Sequence, residues 1–107
     1  MSDLDARDID ADFAPERSAN VYTVEMDGEA VLLDEDENRL HHLNHTAALL
    51  WACFDGHAVV RELAVEISEE LDLPFETVLA DTVAVVRNLG TQGLLVGVAA
   101  EHDATGE

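Results

Sequence analysis

The chain has no lysine. Its 107 residues carry five basic side chains, all arginine, against 24 Asp and Glu, for a formal charge of −19. That balance argues against binding along a phosphate backbone, which depends on Lys and Arg displacing counterions, and equally against attachment to an anionic membrane surface. Aromatic residues are few, with three Phe, one Trp and one Tyr, so Val, Leu and Ala must fill most of the core. The single cysteine, Cys53, forbids an internal disulfide and a cysteine-based zinc site, and it suits a reducing cytoplasm. No apolar run approaches the roughly 18–20 residues of a membrane span, and the N-terminus lacks a basic-then-apolar signal pattern. What is present is 48% apolar residues, enough for the core of one small domain. A domain of this size has little room for both a catalytic cleft and a separate scaffold. Composition therefore points to a small, acidic binding module and away from a self-sufficient enzyme.

The two ends differ from the middle. Residues 1–19 hold six acids and two Arg with few large apolar side chains, and residues 99–107 hold three acids beside Gly and Thr. Segments of that composition bury too little surface to offset their ordering entropy, so an N-terminal acidic arm and a C-terminal tail are both expected to be disordered. Residues 20–98 form the expected domain and keep a charge of about −12.

Within that body the hydrophobic period changes at Asn44. Before it, two β-rich runs, Val21 to Glu25 and Glu29 to Asp34, flank Met26-Asp27-Gly28. Asp-Gly supplies the positive-φ residues of a tight primed turn, which predicts a hairpin. The polar stretch from Asp34 to Asn38 predicts a second turn, leading into a third strand, Arg39-Leu40-His41-His42-Leu43. Leu40 and Leu43 are three apart and do not share a strand face, so Leu43 is expected to bend inward as the chain enters a helix. After Asn44 the spacing is helical. Asn44 or Thr46 serves as N-cap, and Ala47, Leu50, Trp51 and Phe54 fall on one face of a helix that stops at Asp55-Gly56. Val60, Leu63, Ala64, Ile67 and Leu71 repeat the pattern. Pro74 breaks that helix and suits the first turn of another. Val78, Thr82, Val85, Val86 and Leu89 line this third helix, which ends near Gly90 or Gly93. Thr82 to Val86 has strand propensity, but a stretch this long without turn signals reads as helix. The expected fold is α+β: a three-stranded antiparallel sheet packed on three helices, in the order βββααα.

Few residues invite a chemical reading. His41 and His42 are adjacent and would point to opposite faces of a strand. With His45 and His57 they match no zinc spacing, so no metal site is assigned. Cys53 has no base or cation in its neighbourhood to lower its pKa and reads as a structural thiol. No pair of carboxylates stands out, so no catalytic residue and no cofactor is assigned. The third helix, the would-be DNA-recognition helix, carries one Arg between positions 83 and 88, which speaks against DNA.

The string Asp27-Gly28-Glu29-Ala30-Val31-Leu32-Leu33-Asp34, followed by Leu43-Asn44-His45-Thr46-Ala47-Ala48, Trp51 and Asp55-Gly56, resembles the PqqD-like family. Glu62-Leu63-Ala64, Asp81, Leu89 and Gly93-Leu94-Leu95 keep that family's order. The resemblance implies a winged-helix-like fold acting as a non-catalytic recognition element for ribosomally made precursor peptides. It would capture the leader segment by strand addition and present it to a tailoring enzyme such as a radical S-adenosylmethionine protein, a cyclase or a protease. It also implies that the leader lies between the third strand and the third helix. On this sequence those positions are Arg39, Leu40, His41, His42 and Leu43, with Val78, Asp81, Thr82 and Val85. Arg39 and Arg87 are expected beside that groove, where Arg39 would pair with a leader carboxylate. A regulatory winged-helix module that binds protein partners is the second reading.

Overall fold

In a computed structural model, which describes residues 4–99, the sequence folds as β1 (Leu4–Asp5), a 3-10 turn (Ala6–Asp8), β2 (Val21–Met26), β3 (Glu29–Asp34), β4 (Arg39–Leu43), α1 (His45–Ala52), α2 (Val60–Leu71), α3 (Phe75–Thr91) and β5 (Val98–Ala99). Strands β2, β3 and β4 form an antiparallel sheet in that order, and β1 pairs in parallel with β5. The three strands and three helices read from the sequence are all present, in the expected order.

Local chemistry accounts for the turns. Asp27 and Gly28 sit at φ 53° and 83°, the two positive values that a primed turn needs to match the twist of its strands. Asn38, at φ 54°, closes the second turn, where the buried Asp34 carboxylate accepts bonds from Asp36 N, Glu37 N and Asn20 Nδ2. Of the two candidate caps, Asn44 is the one used: its Oδ1 accepts from Ala47 N at 2.9 Å. Helix α1 ends at Ala52, three residues before Asp55, yet Phe54 stays 1% exposed and packs edge-on against Trp51 at 5.9 Å between centroids. Leu43 needs no bend. It lies opposite Ala30 in regular register and is buried with Ala30 and Leu32 on the inner face, while Leu40 points outward. Trp51 joins helix to sheet beneath that face, its Nε1 donating to Thr23 Oγ1 at 2.8 Å.

The N-terminal arm is where the structure departs most from expectation. Residues 4–19 are packed, with Ile9 fully buried and Ala6 and Pro15 enclosed. Bulk composition does not register two things that a few residues can do. Ile9 and Ala6 fill the space above Gly90 of α3, where an added Cβ would meet Val98 Cγ1 at 2.8 Å and Ile9 Cδ1 at 3.4 Å. The segment's carbonyls also cap a helix. The first N–H groups of a helix have no partner inside it, and Val59 before α2 has no side-chain oxygen to offer. Phe13 O accepts from Val60 N at 2.8 Å and Ala11 O from Arg61 N at 2.9 Å, while Glu62 Oε1 takes the Val59 N–H. Arg61 also pairs with Asp12. This segment is a strap across the helices. Of the expected C-terminal tail, only Ala99 is described, in β5, and the rest lies outside the described residues. Among the described residues no helix is long and apolar enough to cross a membrane.

Candidate functional site

Because β4 is at the end of the sheet order, among the described residues only one of its sides is occupied, by β3. Its other side carries N–H and C=O groups that no described strand pairs, which is the template an extended chain needs. Beside that edge lies a trough. His42, Leu43, Asn44 and Ala47 form one wall, Ala84, Val85, Asn88 and Leu89 of α3 the other, and together they bound about 280 Å³. An apolar cavity of roughly 150 Å³ holds a benzene ring, so the trough takes about two side chains of that size.

The residues named from the sequence divide in three. His42, Leu43 and Val85 line the trough. Arg39 and Leu40 are exposed on the edge strand, and Asp81 is exposed one turn before Val85 on α3. Val78 and Thr82, 3% and 0% exposed, belong to the core, where Thr82 Oγ1 donates to Val78 O at 2.7 Å. They are absent from the trough lining. The helical period explains the split. Val78, Thr82 and Val86 lie on the stripe of α3 that faces the core, with buried Leu89 at its border reaching the trough, while Ala84, Val85 and Asn88 lie on the adjoining stripe that faces the trough. Ala84 and Asn88 share Val85's stripe and were legible from that spacing once the helix's rotation was known. Asn44 and Ala47 enter because the chain turns directly from β4 into α1.

His41 shares the inner face with Leu43 and is half-buried, its Nε2 enclosed without a hydrogen-bond partner among the described residues. His42 Nε2 lies 2.8 Å from Glu29 Oε1, and His45 Nδ1 donates to Gly28 O at 2.9 Å. Arg87 does not stand at the groove as expected. Its Nε donates to Ile9 O at 3.0 Å, which ties α3 to the strap. Arg39 is then the cation left on the edge strand. Cys53, half-buried at the end of α1, has its thiol pKa pushed up by burial and by the carboxylates of Glu66 and Asp55, so it stays protonated and a poor nucleophile.

A three-stranded sheet with an open edge above a helix-walled trough defines a class of small α+β domains. Residues 29–95 match the family model described as coenzyme PQQ synthesis protein D (PqqD), and the chain belongs to that family. Among solved structures it is similar to TbiB1 in complex with the TbiA(beta) leader peptide, at 25% identity and a TM-score of 0.71, covering 78% of this chain and 98% of that one. The fold is also shared with a lasso peptide synthetase B1 complexed with its leader peptide, at 22% identity and a TM-score of 0.69, again over 78% of this chain and 98% of that one. A third match is the PqqD truncation of Methylobacterium extorquens PqqCD, described as a functional, stand-alone recognition element for ribosomally synthesised and post-translationally modified peptides. It is 18% identical with a TM-score of 0.73, over 84% of this chain and 96% of that one. A search of curated proteins found no match.

Proposed function

We propose that this protein captures the leader segment of a ribosomally made precursor peptide and presents the remainder to a modifying enzyme, taking no part in the chemistry itself. The leader adds as a strand along β4 and sends side chains into the trough against α3. The enzyme belongs to the radical S-adenosylmethionine, cyclase or protease classes, and the pair works in the cytoplasm, where a lone thiol stays reduced. The open β4 edge beside an apolar trough carries this reading, in a fold whose relative TbiB1 has a leader peptide in its complex.

The energetics assign roles to the two halves of the site. Pairing along the five residues of β4 forms roughly four hydrogen bonds, each contributing a net ~0.5–1.5 kcal/mol. Ordering a flexible leader costs about 2–5 kcal/mol, so the ladder nearly cancels against it. Micromolar binding requires about −8 kcal/mol. Apolar side chains seated in the trough supply the difference at about 25 cal/mol per Å² removed from water, so backbone pairing sets direction and the trough sets affinity.

Fluorescence polarisation with a labelled synthetic leader, taken from the precursor reading frame nearest this chain's gene, tests the proposal. Saturable binding at micromolar concentration or below is expected. Failure of that leader to bind at 100-fold higher concentration would overturn it.

A further inference from the structure

The sheet has a second face, and none of the described residues packs over it. Trp51 and the buried Ala30 and Leu32 mark the inner side, so strand alternation turns the other residues outward. Register sets them in rows across the sheet: Tyr22 opposite Leu33 opposite Leu40, then Val24 opposite Val31 opposite His42, with Met26 opposite Glu29 beyond, and the His42–Glu29 pair borders the apolar side chains. Tyr22, Val24, Met26 and Leu40 are 59%, 54%, 56% and 71% exposed. A contiguous apolar grid of this kind on a soluble domain marks an interaction surface.

Charge decides what covers it. Both ends of the grid are acidic, with Asp27 and Glu29 at the β2–β3 turn and Glu35, Asp36 and Glu37 at the β3–β4 turn, all exposed. Two copies placed face to face would oppose carboxylate to carboxylate in either relative orientation, on chains of net charge −19 each. The same rim repels an anionic membrane. The complementary occupant is a protein with an apolar centre and a rim of Lys and Arg. We infer that the outer face of β2, β3 and β4 is the docking surface for the peptide-modifying enzyme, which meets it with such a patch. Naming the occupant as that enzyme rests on the function proposed above. The geometry suits it: a leader strand added to β4 would continue this face past Leu40 and His42, so the enzyme would border the captured peptide.

The test uses the full chain, a Tyr22→Ser/Val24→Ser variant two strands away from the peptide edge, and the purified modifying enzyme encoded beside this chain as probe. Interferometry without leader is expected to show enzyme affinity falling at least 10-fold in the variant, and wild-type affinity falling as salt rises. Leader affinity by fluorescence polarisation stays within about two-fold. Met26→Ser, at the exposed end of the grid, is the second variant should the pair lower the melting temperature. Unchanged enzyme affinity in the variants, or no binding by the wild type, overturns the inference. So does a wild-type dimer in sedimentation that the substitutions convert to monomer. Loss of leader binding by the wild type strikes the proposed function instead, and the leader-free enzyme arm still decides the face.

Discussion

Helix α3 has two long sides, and the molecule treats them in opposite ways. One is closed: Ala6 and Ile9 lie on Gly90, Val98 packs against the same glycine, and Arg87 reaches across to the Ile9 carbonyl. The other is open, where Ala84, Val85 and Asn88 face the trough below β4. Gly within a helix costs roughly 0.5–1 kcal/mol relative to Ala, and the closed side explains why this one is present, since a methyl group there would collide with Val98. The contrast teaches how a small domain keeps an apolar trough open. The helix forming one wall is clamped from behind, so that side does not need the trough to collapse in order to be buried.

The clamp should fail most visibly when its anchor is removed. Ile9→Ala deletes a fully buried side chain and is expected to destabilise the protein by about 2–5 kcal/mol, read from urea unfolding. An arm that mattered little would give a value near zero. On the open side the order of effects reverses. Val85→Asp places a charge in the trough wall and is expected to weaken leader binding at least 10-fold, about 1.4 kcal/mol, with a smaller change in stability because the residue is only half-buried. Equal losses in the two assays would mean that the sides are not functionally distinct. Arg39→Ala, on the edge strand and remote from the clamp, should reduce leader affinity by only about two- to five-fold, in line with an exposed ion pair, and should flatten its salt dependence. An unchanged salt profile would remove Arg39 from the site.

The smallest effect concerns the loop between α1 and α2. The backbone N–H groups of Ala58 and His57 donate to the Asp55 carboxylate and hold its pKa below the ordinary range. A carboxylate with a lowered folded-state pKa contributes its stabilisation fully above its unfolded value and loses it as the pH falls through the folded value. Asp55→Ala should therefore melt slightly below the wild type at neutral pH, with the gap closing as the pH drops below about 4. A gap that persists in acid would assign the difference to chain entropy or packing.

Much of the fold was legible because its signals are local. Asp27-Gly28 turns a hairpin whatever surrounds it, Asn44 caps the helix it precedes, and the spacing of Val60, Leu63, Ala64 and Ile67 marks the buried side of α2. The site was legible by halves. Strand β4 spans the five residues expected of the third strand, whereas two of the four helix positions implied for the groove, Val78 and Thr82, lie on the core stripe. A helical period reveals which residues share a stripe. It does not tell which of two apolar stripes meets the core and which meets an open trough.

The sequence by itself determined the order of strands and helices, the turns between them and the acidity that turns away phosphates and anionic surfaces, because each depends on residues within a few positions of one another or on simple sums. Only the tertiary structure decided that the N-terminal segment is a strap, that Arg87 serves it, and which stripe of α3 walls the trough. Those outcomes depend on carbonyls, N–H groups and side chains brought together from distant parts of the chain, as with Ile9 and Arg87, and no local pattern records such a meeting.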